Sequence, residues 1–128
     1  MDFNESKNIF LQIEEWLNNR IIENKICSGD RIPSVRELAE EMEVNRNTVM
    51  RTYSNMESKG ILENKRGIGF FVADNATSII QKAQKKEFFD KELPKLVERI
   101  KLLKLNSEDL AELVNQINKN DHENKNQQ

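Results

Sequence analysis

Residues 29–72 read GDRIPSVRELAEEMEVNRNTVMRTYSNMESKGILENKRGIGFFV, and the local signals in this stretch fall in one order. Pro33 precedes Ser34, and Glu37 lies three positions on, the spacing at which hydroxyl and carboxylate can satisfy each other's orphan backbone donors at a helix start. Val35, Leu38, Ala39 and Met42 then recur at i, i+3, i+4 and i+7, one apolar face, while Arg36, Glu37, Glu40 and Glu41 point away. Only Glu43 and Val44 separate this helix from Asn45, an N-cap type, so the turn must be tight. In the second helix Val49, Tyr53 and Met56 face the core, which leaves Arg46, Asn47, Met50, Arg51 and Ser54 on or near the outer face. Gly60 can end that helix in the left-handed region. Ile61 to Asn64 reads as a short strand, Lys65 to Gly69 as a tip and Phe70 to Val72 as the returning strand. Helix, tight turn, helix and glycine-tipped hairpin together make a winged helix-turn-helix.

The outer face has the chemistry to read base edges. Arginine can bond guanine O6 and N7 as a bidentate pair, and asparagine can do the same with adenine N6 and N7. Arg46, Asn47 and Arg51 are the candidates for that role. Ser34 and Thr48 are short hydroxyls at helix starts, placed to hold backbone phosphate and fix register, although capping alone also accounts for Ser34. At the hairpin tip, Arg66 beside Gly67 and Gly69 can bring backbone and guanidinium close to a phosphate or into a narrow minor groove. From Val44 to Val72 the cations Arg46, Arg51, Lys59, Lys65 and Arg66 outnumber the acids Glu57 and Glu63 by three. Acids gather instead at Glu37, Glu40, Glu41 and Glu43, a polarity that would orient the domain on a duplex and make binding salt-dependent.

The run from Gly29 to Val72 resembles the DNA-binding domain of GntR-family bacterial transcription regulators. Gly29-Asp30-Arg31-Ile32-Pro33-Ser34-Val35-Arg36-Glu37-Leu38-Ala39 looks like that family's opening motif, and Asn45-Arg46-Asn47-Thr48-Val49 like the start of its recognition helix. The resemblance implies DNA-contact roles for Ser34, Arg36, Arg46, Thr48, Arg66 and Gly67. Met50 stands where many members carry a second basic residue, with Arg51 beside it. Asn47-Thr48-Val49 with Tyr53, and the short region after the wing, look most like the YtrA-like subfamily, in which that region is the dimerisation element. Upstream, Ile9, Phe10, Ile13, Leu17 and Ile21 form a helical stripe that supplies the third wall of the core. Trp16 sits at its edge as a half-buried aromatic, and the residues before Ser6 read as a short arm.

The chain has 128 residues, room for one modest core and an appendage but no separate catalytic domain. Lys plus Arg number 20 against 22 Asp plus Glu, so the strong basic signature of a nonspecific nucleic-acid binder is missing. Cys27 is single, which excludes an intramolecular disulfide, and at its loop position it reads as a small packing residue. No apolar run is long enough for a membrane span or signal segment, so the expected location is cytoplasmic with no membrane partner. His122 is the only histidine, and neither a metal cluster nor a nucleophile-base-oxyanion constellation can be assembled. The expectation is a non-enzyme with no metal and no cofactor.

From about Thr77 to Lys104 the chain reads as amphipathic helix, with Pro94 inside the pattern imposing a kink or a break near Glu92 and Leu93. Asn106 or Ser107 caps a last helix with Asp109 in its first turn, and from Asn118 polar residues take over. The apolar positions Phe88, Phe89, Leu96, Val97, Ile100, Leu103, Leu110, Leu113, Val114 and Ile117 exceed what one small domain would bury. A homodimer accounts for them, and a two-fold pair also presents two recognition helices to successive major grooves of double-stranded DNA. Folding back over the first domain is the intramolecular alternative. The expected fold is mainly α with a small β-hairpin wing: a winged helix-turn-helix domain over 1–73, a helical dimerisation region over 74–119 and a disordered tail over 120–128. The function that follows is a sequence-specific regulator, a homodimeric repressor on a palindromic operator. A winged-helix protein-interaction module and a small-molecule sensor are the competing classes, and the sequence assigns no small-molecule effector.

Overall fold

The computed structural model describes residues 8–126, so the expected arm before Ser6 lies outside the described residues. The elements in order are α1 (Ile9–Ile22), α2 (Val35–Met42), α3 (Arg46–Ser58), β1 (Leu62–Lys65), β2 (Gly69–Val72), α4 (Ala76–Glu87), a π-helical segment (Phe88–Glu92), α5 (Leu93–Leu102) and α6 (Ala111–Asn126). They divide into two compact units between Lys86 and Glu87.

In the first unit the predicted helix-turn-helix forms for the reasons the local sequence supplies. Glu37 N–H donates to Ser34 Oγ at 3.1 Å, and Asn47 N–H donates to Asn45 Oδ1 at 2.8 Å, so each helix has a side-chain cap worth about 1 kcal/mol. The tight turn is made by Glu43 in the left-handed region at φ 56°, unusual for a residue with a Cβ. Val44 N–H donates to the Ala39 carbonyl at 3.0 Å and Glu43 N–H to that of Glu40 at 3.3 Å, closing the helix end that holds it there.

Three helices and a sheet enclose the core. Ile13, Leu17 and Ile21 from α1 meet Leu38 and Ala39 from α2 and Val49, Tyr53 and Met56 from α3, with Ile32, Ile61, Leu62 and Val72 closing the sheet side. Each large aliphatic side chain buried here contributes about 1.5–3 kcal/mol. The upstream stripe is shorter than expected, because Ile9 lies at the open end of α1 and is exposed, while Gln12 and Glu14 are buried. Trp16 packs partly buried against the core, with the Arg20 guanidinium 5.0 Å from its ring centroid. Cys27 is exposed, so it does not pack as expected; its loop is held by the Asp30 carboxylate accepting from Cys27 N–H.

The hairpin pairs Leu62 with Val72, Glu63 with Phe71, Asn64 with Phe70 and Lys65 with Gly69. Residues 29–32 add to its open side: Arg31 bridges Phe71, and Ile32 N–H donates to the Phe70 carbonyl at 3.0 Å. Ala76 and Ile80 of α4 are also buried in this core, so the first unit reaches well past the expected limit at residue 73.

Before Pro94 the expected kink or break takes the form of a π-helical turn, with helical backbone continuing through it. Pro94 falls in the first turn of α5, where its missing N–H costs nothing, and the preceding turn widens so that Leu93 N–H reaches the Phe88 carbonyl. Before α6, Asn106 Oδ1 accepts from Asp109 N–H at 2.9 Å and Asp109 Oδ2 accepts from Asn106 N–H at 3.0 Å, a reciprocal cap. Helix α6 then continues to Asn126, across residues expected to be disordered. No Gly or Pro interrupts it, and Gln116 bonds Glu112 one turn back at 2.9 Å.

Candidate nucleic-acid interface

Helix α3 is held from behind from its centre to its C-terminal end. At its centre, the Thr52 hydroxyl is shared between the carbonyls of Phe10 at 2.8 Å and Thr48 at 3.2 Å. One residue on, Tyr53 OH donates to the Pro33 carbonyl at 2.6 Å, and its ring meets Phe70 edge-on with centroids 5.0 Å apart. Burial, reinforced by Glu37 and Glu41, holds the Tyr53 phenol well above its ordinary pKa. At its far end, Glu14, only 5% exposed, accepts from Asn55 Nδ2 at 3.0 Å and from Lys59 Nζ at 3.1 Å. These bonds tie α3 to α1 and to the start of α2, so its pose is set by buried contacts rather than by its outer side chains.

That outer face carries the residues singled out in the sequence. Arg46, Asn47, Met50, Arg51 and Ser54 are exposed, and Thr48 is half-buried beside the cap. Arg46 and Asn47 open the helix with no ion pair among the described residues. Arg51 is placed differently: its guanidinium lies 3.9 Å from the Phe10 ring centroid. Asn8, Ile9, Phe10, Asn47, Thr48 and Arg51 line an open cleft of about 290 Å³ where the starts of α1 and α3 meet. Ile9 and Phe10 make one side of it apolar, while Asn8, Asn47, Thr48 and the single cation Arg51 supply the polar groups a backbone phosphate requires.

Ser34 stands at the start of α2 with its oxygen already accepting the cap bond. Arg36, two residues on, pairs with Glu40 at 3.2 Å on the surface, a contact worth a few tenths of a kcal/mol that a phosphate can displace. The wing brings Arg66, Gly67 and Ile68 to an exposed tip, where Gly67 takes φ 79° and Ile68 N–H donates to the Lys65 carbonyl at 2.9 Å. Lys65 Nζ lies 4.4 Å from the centroid of the Phe71 ring.

Sequence reasoning assigned no role to Arg31, Phe10 or Glu14 in presenting this surface. Their partners are Gly69, Arg51 and the Asn55–Lys59 pair, and a helical or strand repeat gives no signal for contacts made across such separations. Among the described residues no group of three or more His, Cys, Asp or Glu is placed to hold a metal ion, and no helix is long and apolar enough to cross a membrane.

A rigidly backed helix with an Arg and Asn face, beside a basic hairpin tip, defines a winged helix-turn-helix DNA-binding domain. Residues 10–72 match the family described as bacterial regulatory proteins, gntR family. Over 110 residues the chain is 39% identical to the uncharacterized HTH-type transcriptional regulator YhcF of Bacillus subtilis, covering 86% of this chain and 89% of the relative. It is 35% identical over 80 residues to the HTH-type transcriptional repressor YtrA of the same organism, 62% of each chain. A solved GntR-family regulator from Bacteroides thetaiotaomicron superposes with a TM-score of 0.71 at 33% identity, over 88% of this chain and 98% of that one. The chain belongs to the GntR family and is a DNA-binding transcriptional regulator, not an enzyme.

Proposed function

We propose that the protein is a homodimeric repressor that places two α3 helices in successive major grooves of a palindromic operator and its wings on the flanking minor grooves. One observation carries the dimer: none of the described side chains from Glu87 onward is buried. Phe88, Phe89, Leu96, Val97, Leu103, Leu113, Val114 and Ile117 are each 41–56% exposed, and Leu102 is 70% exposed. Ile100 and Leu110 are half-buried. An apolar surface of this extent on a charged chain calls for a partner, and a second copy supplies the same surface. Helices α5 and α6 with the π-helical segment are on this reading the dimerisation element.

Arg46 and Asn47 read base edges. Ser34, Arg36, Thr48 and Arg51 hold phosphates, the last of them beside the cleft against Phe10, and Arg66 with Gly67 probes the flank. Binding by occlusion of a promoter makes the protein a repressor, a reading supported by the name of its relative YtrA. Its place of action is the cytoplasm.

The test uses the DNA upstream of the protein's own coding sequence against a random duplex of equal length, with the full chain. Arg46→Ala should lower affinity for the specific duplex by about 5- to 150-fold, the 1–3 kcal/mol of a lost bidentate pair, and leave random-duplex affinity nearly unchanged. Val97→Glu should sediment as a monomer and lose the operator. A wild-type protein with no preference over random DNA refutes the regulator reading, and a Val97→Glu protein that remains dimeric refutes the placement of the interface.

A further inference from the structure

Arg31 lies outside every helix, in the segment before α2, yet the fold carries its side chain to the wing. Its backbone bridges Phe71 of β2, and a Cβ built on Gly69 would stand 2.9 Å from Arg31 Nε, 3.5 Å from Nη2 and 3.6 Å from Cζ. The guanidinium therefore lies close over Gly69, a wing residue with no side chain, two positions from the exposed tip at Gly67. Gly69 also takes φ 142°, a conformation that residues with a Cβ rarely adopt.

Strand alternation sorts the neighbours. Phe71 shares the outer face of the hairpin with Gly69, Lys65 and Glu63, while Leu62, Phe70 and Val72 face inward. Lys65 covers the Phe71 ring on that outer face. Arg31 is exposed, and among the described residues its side chain makes no hydrogen bond or ion pair. An unpaired guanidinium laid beside a glycine is poised for an acceptor that comes from outside the chain.

We propose that Arg31 is a further DNA-contacting residue: it binds a backbone phosphate on the outer face of the wing, and Gly69 is bare so that the guanidinium can lie there. The contact is to phosphate and carries no base information. It rests on the reading that the wing meets the DNA flank.

Fluorescence anisotropy of the full chain on specific and random duplexes, over a series of salt concentrations, tests it. Arg31→Gln should weaken binding to both duplexes alike and lower the slope of log K against log salt by about 0.9, so that affinity falls ~3-fold less between 50 and 200 mM salt than for wild type. Arg31→Lys, which keeps the charge, should restore the slope. Gly69→Ala, which pushes the guanidinium aside, should lower affinity in the Arg31 background and add little to Arg31→Gln. Thermal melts alongside separate these effects from loss of fold. An unchanged slope in Arg31→Gln, with Arg66→Ala still weakening binding, overturns the assignment of Arg31 and leaves the wing reading standing. If neither Arg31→Gln nor Arg66→Ala changes binding, the wing does not meet DNA and both fall.

Discussion

Tyr53→Phe removes one oxygen from the centre of the DNA-binding unit and nothing else. The ring remains against Phe70, so the cost is that of the part-buried 2.6 Å bond to the Pro33 carbonyl. Loss of such a hydrogen bond costs about 1 kcal/mol. For a unit of this size that lowers the melting temperature by roughly 4–8 °C per kcal/mol, and the urea midpoint should fall with an unchanged m-value. The same site makes a second, independent signal. Burial, then Glu37 and Glu41, hold the phenol's pKa above its ordinary value near 10, so the native state keeps the proton while the unfolded chain loses it. Stability from this group is complete below pH ~10 and declines above it, by up to about 1.4 kcal/mol per pH unit until the native phenol ionises. Tyr53 is the chain's only tyrosine, so the ultraviolet absorbance of phenolate follows it alone. Wild type should show phenolate appearing only with unfolding, and Tyr53→Phe should lose that part of the alkaline instability. A phenolate signal at pH 10 in the folded protein, or an unchanged urea midpoint in Tyr53→Phe, would refute the reasoning.

Glu14→Ala should destabilise the protein by about 2–3 kcal/mol in urea titrations. It strips a buried acceptor from Asn55 and Lys59, although Lys59, about half exposed, can turn to water and limit the loss. Glu14→Gln, which keeps one acceptor, should lose less, and equal losses for the two variants would argue against the ion pair. Gly60→Ala should cost about 1 kcal/mol, since its φ of 81° disfavours a Cβ while the nearest atom, Ile79 Cδ1 at 3.4 Å, leaves room for one. A neutral Gly60→Ala in a thermal melt would contradict that account.

Much of the helix-turn-helix was legible because its determinants are local. Ser34 and Asn45 cap helices by bonds two or three residues away, and the Val49, Tyr53 and Met56 stripe follows from helical spacing alone. The exposed Arg46 and Asn47 follow from the same spacing, as the residues left over when the stripe turns inward. The hairpin tip was legible for a similar reason, since Gly67 and Gly69 adopt backbone angles that few other residues accept. Proline placed the irregular turn before α5, while the reach of the first unit through Ala76 and Ile80 was missed because their apolar spacing continues unbroken into exposed positions.

What the chain determines by itself is therefore the series of elements, their ends and the face each turns outward, because caps, turns and periodicity act within a few residues. Only the tertiary structure decides how that face is presented. Thr52 meets Phe10 across 42 positions, Glu14 meets Asn55 across 41, and Tyr53 reaches Pro33 across 20. The setting of the recognition helix and the seat of Arg31 on Gly69 depend on such long-range contacts, which arise when separate elements pack and leave no periodic mark on the sequence.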